Sequence, residues 1–338
     1  MRRVILEPGE VFSNKHLKRT GAFNAAALTA ATAIIEDVRE RGDGALRDYT
    51  ERFDGVRLED FRVPQLAVDE AAAYVDDGTA RALRQAASQI RDFHERQRQQ
   101  SWFTVREDGA LVGSKVEPLE SVGIYVPGGR ALYPSTVLMN ALPAAVAGVP
   151  RIVCVTPPAK SGMLDPAILY ACRLAGVTEI YAVGGAQAVA ALAYGTESIE
   201  PVAKITGPGN AYVAAAKKVV SGDVGIDMIA GPSEVCVVAD ATADPALVAI
   251  DLMARYASPL SVDEFVKKSS VIQYSPAALA RDADAVTTIA RHEGLWAHAM
   301  SVEMRRNLLR TGNVFGEEGG PAGAASGAGA VGSGGADA

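Results

Sequence analysis

The sequence predicts an α/β protein built on a parallel sheet, and two features of residues 116–239 predict it. Short apolar runs of four to six residues recur there, and helical stretches of about ten residues follow most of them. Strands buried on both faces read as continuous apolar runs, and the crossover helices supply the covering layers. In addition, three of the runs end in glycine just before a helix begins.

The elements follow in chain order. Ala25 to Arg41 is Ala-rich, with Leu28, Ala31, Ile35 and Val38 at three-to-four spacing, and Gly42 stops it. Ala80 to Gln99 repeats the theme, with Leu83, Ala87 and Ile90 on one stripe and charges on the solvated face. From about Val116 the texture changes. Val122–Val126 is an apolar run, and a helix over Ser135–Ala147 follows. Arg151–Val155 leads to a helix over Pro166–Leu174, and Glu179–Val183 to one over Ala186–Tyr194. Ala203–Thr206 leads to Ala211–Val220, and Glu234–Ala239 is the last run. Ser261 to Leu309 reads as helices again, with Ser275-Pro276 as cap and first position and Leu279, Val286 and Ile289 as a buried stripe. Of the 22 residues from Glu317 to Ala338, 15 are Gly or Ala, so this tail is expected to be disordered.

Bulk properties exclude several classes of function. Lys and Arg number 33 against 40 Asp and Glu, a formal net charge of −7, which argues against nucleic-acid or anionic-membrane partners. Three cysteines without CxxC spacing exclude a disulfide scaffold and favour a reducing compartment. No run of 18 apolar residues occurs, and the N-terminus lacks a signal-peptide core, so the expected location is cytoplasmic.

The glycine turns are Val126-Pro-Gly-Gly, Val183-Gly-Gly-Ala-Gln and Thr206-Gly-Pro-Gly-Asn. In a parallel sheet all three fall on the carboxyl edge, where open α/β sheets bind ligands. Glycine lets backbone approach a phosphate, and helix N-termini present N–H groups to it. Gly207-x-Gly209 lacks a third glycine because Tyr212 stands there, so the dinucleotide fingerprint is not met. Together the turns predict a nucleotide site, although any one of them fits a purely structural turn equally well. Tyr125, Gln187 and Asn210 could each bond a ribose, an adenine or a pyrophosphate, or simply stabilise the turn. Ser233, after Gly231-Pro232, reads first as a turn cap. No Gly-x-Ser-x-Gly elbow supports a hydrolase. His292 and His298 lie about 120° apart on a regular helix and cannot share a metal from it.

Four motifs in order resemble the histidinol dehydrogenase family: Val122-Gly-Ile-Tyr-Val-Pro-Gly-Gly129, Val183-Gly-Gly-Ala-Gln-Ala188, Thr206-Gly-Pro-Gly-Asn210 and Ile226-Asp-Met-Ile-Ala-Gly-Pro-Ser-Glu234. The resemblance covers most of Ala25 to Ala254 and resumes from Ser258 to about Leu309. It implies Rossmann-like domains, a homodimer, a catalytic zinc ion, and NAD-dependent oxidation of L-histidinol to L-histidine in histidine biosynthesis. It places Tyr125, Gln187 and Asn210 on NAD-contacting positions, and Ser233, Glu293 and His298 on substrate positions. His298 also falls on a zinc-ligand position. The family supplies the last pair, Glu293 and His298, from one subunit to its partner's site.

The pattern then breaks. After Asp251-Leu-Met-Ala254 the family continues Gln-Ala-Glu-His, but here Arg255-Tyr-Ala-Ser258 follows, which resembles the entry to the C-terminal arm. A block the size of a small domain is missing, with most zinc ligands and the catalytic Glu-His pair; no Glu-His dipeptide occurs in the chain. The expected fold is thus a Rossmann-like parallel-sheet domain flanked by a helical N-terminal region and a C-terminal helical arm, with a second Rossmann-like domain largely missing. Residues 1–112 would be the helical region with the remnant of that second domain, and 113–235 the NAD-binding domain. Residues 236–256 would be a return segment cut at the junction, 257–312 a dimerisation arm, and 313–338 the tail. Apolar faces of the helices in 25–99 would be left exposed. The chain could be an enzyme, an inactive NAD-binding and dimerisation module, or a non-functional deletion product. No catalytic residue of the family is retained, and zinc binding is expected to be poor or absent.

Overall fold

A computed structural model describes residues 25–128, 132–227, 260–292 and 295–312. The chain forms two compact units, Met1–Gln99 with Glu117–Lys267, and Gln100–Val116 with Lys268–Ala338. The return run Glu234–Ala239, the junction at Ala254-Arg255 and the Gly/Ala tail lie outside the described residues.

The first unit opens with four helices, α1 (Ala25–Arg41), α2 (Asp43–Asp54), α3 (Gln65–Glu70) and α4 (Asp77–Glu95). Its sheet contains β3 (Ser121–Tyr125), β4 (Arg151–Thr156), β5 (Glu179–Ala182), β6 (Lys204–Thr206) and β7 (Gly225–Ile226). The spatial order is β5-β4-β3-β6-β7, and every pairing is parallel. Four crossover helices connect the strands in turn: α5 (Pro134–Ala147), α6 (Pro166–Ala175), α7 (Gly185–Tyr194) and α8 (Ala211–Val220). The strand order reverses between β3 and β6. That switch point opens a crevice beyond the carboxyl ends of the strands.

Side-chain alternation divides the core into two layers. Val122, Ile124 and Val126 of the central strand face the layer of α4, α5 and α6, together with Ile152, Cys154 and Ile180. Tyr125, Val153, Val155, Tyr181 and Ile205 face the layer of α1, α7 and α8. Cys154 and Cys172 are buried and unbridged, in keeping with the expectation of no disulfide scaffold.

The expectation that residues 25–99 expose their apolar faces is corrected for the stripes of α1 and α4, while Phe53, Leu66, Tyr74 and Phe93 are exposed. Ala27, Ala31, Ile34, Ile35 and Val38 of α1 are buried against the α7–α8 layer, and each Ile or Val contributes about 1.5–3 kcal/mol on burial. Ala80, Leu83 and Ala87 of α4 are buried in the other layer. These helices cover the one parallel sheet among the described residues.

At the α1–α2 corner Gly42 has φ +54°, and a Cβ there would lie 2.3 Å from the Glu197 carboxylate. That carboxylate accepts the Asp43 N–H at 2.7 Å, so the chain supplies its own anion to the start of α2.

The second unit has a three-stranded sheet of β1 (Trp102–Val105), β2 (Leu111–Pro118) and β8 (Val266–Gln273), in the order β1-β2-β8. Two helices follow, α9 (Pro276–His292) and α10 (Trp296–Thr311). The reading of 261–309 as wholly helical is therefore corrected by β8. β8 escaped because its exposed middle, Lys267-Lys-Ser-Ser270, breaks any apolar run, and β1, although it reads Trp102-Phe-Thr-Val105, is only four residues long and exposed throughout. The cap at α9 is as read, with Ser275 Oγ accepting from Ala278 N–H at 3.1 Å. The buried stripe of α9 is Ala278, Ala283, Thr287 and Ala290, whereas Val286 and Ile289 are exposed. Small side chains let α9 and α10 approach closely, and the large ones are turned outward.

Candidate functional site

The three glycine turns meet at the carboxyl edge of the parallel sheet. Tyr125, the last residue of β3, sends its hydroxyl to the start of α7, where it accepts the Gly185 N–H at 3.0 Å. Burial is the main reason that its pKa is pushed up to about 12. The hydroxyl therefore keeps its proton near neutrality and can donate it to an incoming acceptor.

The glycines are required by contact. A Cβ on Gly128 or on Gly184 would lie 2.6 Å from the Pro157 ring, which stands between those turns. Gly207 has φ +111°, and a Cβ there would lie 2.2 Å from the Tyr125 carbonyl. The structural reading of these glycines thus holds for each of them.

Gln187, in the first turn of α7, is fully buried, and neither its amide nitrogen nor its amide oxygen has a hydrogen-bond partner. At the end of β6, Thr206 is equally buried with its hydroxyl unpartnered. Each unsatisfied buried group costs about 1–3 kcal/mol, so orphans gathered at one edge call for an explanation beyond packing.

Asn210 is used differently. Its Oδ1 accepts from Tyr212 and Val213 N–H at 2.9 and 3.1 Å, capping α8. The structure therefore brings Tyr125 and Gln187 together at the start of α7 and sets Asn210 at the neighbouring turn. His298 belongs to the second unit, exposed in the first turn of α10. Ser233 and Glu293 lie outside the described residues.

Two features of the edge were missed in the sequence. Lys217 and Asp227 form an ion pair with side chains only 3% and 8% exposed. Lys217 also donates to the Gly207 carbonyl at 3.0 Å, and Asp227 accepts the Gly207 N–H at 2.8 Å. The pair thus grips both backbone groups of the glycine that opens the β6–α8 turn. Burial pushes the Asp227 carboxyl up, and Lys217 opposes that shift. The available signal was Lys217 itself, which sits between Val213 and Val220 on the buried stripe of α8. The second feature is Asp54, at the end of α2. Burial pushes its pKa up to about 6, and its charge is felt at Tyr125.

A doubly wound parallel sheet with glycine-lined turns at its switch point defines a Rossmann-like α/β protein. Comparison with known proteins narrows this. The histidinol dehydrogenase family model matches residues 17–255 and 252–306. The histidinol dehydrogenase of Geobacillus kaustophilus (strain HTA426) is 41% identical over 394 residues, covering 82% of this chain and 93% of the relative. That of Bacillus subtilis (strain 168) is 39% identical, with 82% and 92% covered. That of Rhizobium meliloti (strain 1021) is 59% identical over 228 residues, 66% of this chain and 52% of the relative. The crystal structure of histidinol dehydrogenase from Elizabethkingia anophelis matches with a TM-score of 0.77 at 29% identity, covering 84% of this chain and 93% of that one. The chain belongs to the histidinol dehydrogenase family, a family of oxidoreductases.

The two family matches meet at residues 252–255. Since 82% of 338 residues is about 277, roughly 117 of the 394 aligned residues of the Geobacillus protein face no residue of this chain. No helix among the described residues is long and apolar enough to cross a membrane.

Proposed function

We propose that this chain keeps the nucleotide-binding half of a histidinol dehydrogenase and binds NAD, but does not by itself oxidise L-histidinol to L-histidine. The observation that carries the first part is the Gln187 amide, fully buried and unpartnered beside Tyr125 at the glycine edge. The residues present fit a dinucleotide. Gln187 can both donate and accept, Tyr125 can donate, and the turns let backbone N–H groups approach phosphate. When bound, NAD supplies the hydride acceptor. The chain's own part is to hold and orient it and to exclude water from the Tyr125–Gln187 corner.

The residues present do not fit the family's zinc. A catalytic zinc takes about three protein ligands and keeps an open position. The described residues contain no group of three or more His, Cys, Asp or Glu side chains that could hold a metal, and His298 is an exposed side chain on α10. The Glu-His pair is absent from the sequence. The gap of roughly 117 residues and the meeting of the two family matches at 252–255 are in keeping with loss of the block that would carry these groups. A second copy of the chain is the proposed partner, through α10, whose Trp296, Met300 and Leu308 are exposed at four- and eight-residue spacing.

Calorimetry with NAD, and NADH absorbance with L-histidinol and added zinc, test the proposal. Saturable NAD binding without NADH formation is the expected result. Zinc-dependent turnover would overturn the inactivity, and lack of NAD binding would overturn the nucleotide reading.

A further inference from the structure

Asp54 is an acidic side chain at this edge that, unlike Asp227 with its Lys217 partner, has no ion pair among the described residues and no part in the nucleotide reading. It closes α2, which packs on α7, and its charge raises the pKa of Tyr125, whose hydroxyl binds the first residue of α7. Its Oδ2 is buried with no hydrogen-bond partner.

The neighbouring arginines are engaged elsewhere. Arg57 pairs with Glu51 at 2.7 Å, Arg41 with Asp37 and Asp48 at 2.7 Å, and Arg47 bonds the Glu59 carbonyl at 3.4 Å. The Arg52 guanidinium lies 5.3 Å from the Phe53 ring centre. Asp54 is in no ion pair among the described residues. A buried carboxylate oxygen left in this state has the opposite requirement from the helix start beside it. It accepts and cannot donate when ionised, so its ligand group must bring hydrogen, not negative charge. The α7 start favours an anion. A phosphate and a hydroxyl-bearing sugar lie side by side in a nucleotide, and that juxtaposition matches the edge.

We propose that Asp54 recognises the adenosine ribose, accepting hydrogen bonds from its vicinal hydroxyls and repelling a 2′-phosphate. The inference rests on the nucleotide reading of the same edge. Asp54 would thus set the preference for NAD over NADP, a role that the generic Rossmann pattern gives to an acidic residue at a strand end. Here it comes from a helix that precedes the sheet. The raised pKa is in keeping with a carboxylate that has no cation to balance it.

The test is calorimetry on the full chain with NAD, NADP and 2′-deoxy-NAD. Wild type is expected to bind NAD at least about tenfold tighter than either analogue, the worth of one charge-assisted hydrogen bond. Asp54→Asn is expected to weaken NAD about tenfold and to bring NAD and NADP within about threefold of each other. The variant removes an unbalanced half-buried charge, so it should melt no lower than wild type. The 2′-deoxy comparison needs no variant at all. Equal NAD affinity in wild type and Asp54→Asn overturns the proposal alone, as does equal loss of NAD and NADP. Equal binding of NAD and 2′-deoxy-NAD by wild type overturns it as well. A wild-type chain that binds none of the three overturns both this proposal and the nucleotide reading.

Discussion

Asp227→Asn isolates the ion pair beneath the Gly207 turn. The substitution keeps an oxygen for the Gly207 N–H but removes the charge opposite Lys217, whose side chain is 3% exposed. Lys217 is then left with the Gly207 carbonyl at 3.0 Å as its remaining partner in this cluster. Uncompensated buried charges of this kind cost about 3–5 kcal/mol. Total stabilities of about 5–15 kcal/mol make that a large share, and a unit of this size loses about 2–4 °C of Tm per kcal/mol. A drop of about 6–20 °C is therefore expected. Lys217→Met should also destabilise, whereas the double variant should recover much of the loss, because replacing both ions removes the unpaired charge. Urea denaturation followed by circular dichroism, read as a double-mutant cycle, measures this. The expected coupling is at least about 2 kcal/mol. An Asp227→Asn cost below about 1 kcal/mol, or single losses that simply add, would refute the account of a buried, mutually dependent pair.

Other substitutions separate stability from binding. Gln187→Leu should raise stability by about 1–3 kcal/mol, since it removes two unpartnered buried groups, and should abolish NAD binding by calorimetry. Gly207→Ala should cost about 2 kcal/mol or more in urea denaturation, because φ is +111° and the Tyr125 carbonyl is 2.2 Å away. Gly44→Ala, with nothing within 4 Å, should instead stabilise α2 by about 0.5–1 kcal/mol. The Asp54 carboxyl is raised from 3.8 to about 6, so the folded state binds its proton more tightly. Its contribution to stability therefore rises as pH falls through about 6 and levels off below 3.8. Asp54→Asn should remove that rise from melts taken between those values. Trp296→Asp with Met300→Asp should shift the chain from dimer to monomer in light scattering, and an unchanged mass would exclude α10 as the interface.

Elements that bury a continuous apolar stripe or both faces were legible, because burial is written into the spacing and composition of their residues. α1 has the bounds read from its stripe, Ala25–Arg41, and β3 to β6 fall on the apolar runs to within about two residues. β1, β2 and β8 were not: β1 is a short exposed run, and in β2 and β8 the apolar residues are broken up by Gly, Ser and Lys. On α9 the large residues were taken for the buried ones, and the choice went to Ala278, Ala283 and Ala290 because helix–helix approach rewards small side chains. At the edge, Tyr125 and Gln187 could be marked from the turns they sit in. Lys217 could have been marked by its place between Val213 and Val220 on the buried stripe, although its partner could not. Asp54 could not, because what makes it notable is the partner it lacks. Asp54 is 71 residues from Tyr125 in the chain and is felt there only once α2 has packed on α7.

Pro157 joins Gly128 to Gly184 in a way that reaches beyond geometry. The same ring blocks a methyl group at both positions, each at 2.6 Å. The two glycines, 56 residues apart in sequence, therefore cannot drift independently. A mutation to alanine at either becomes tolerable only after the ring has been replaced by something smaller. Once it has, both positions are released together. In this lineage the three residues should be inherited as a set, and relatives that lose the proline are the place to look for side chains at the other two.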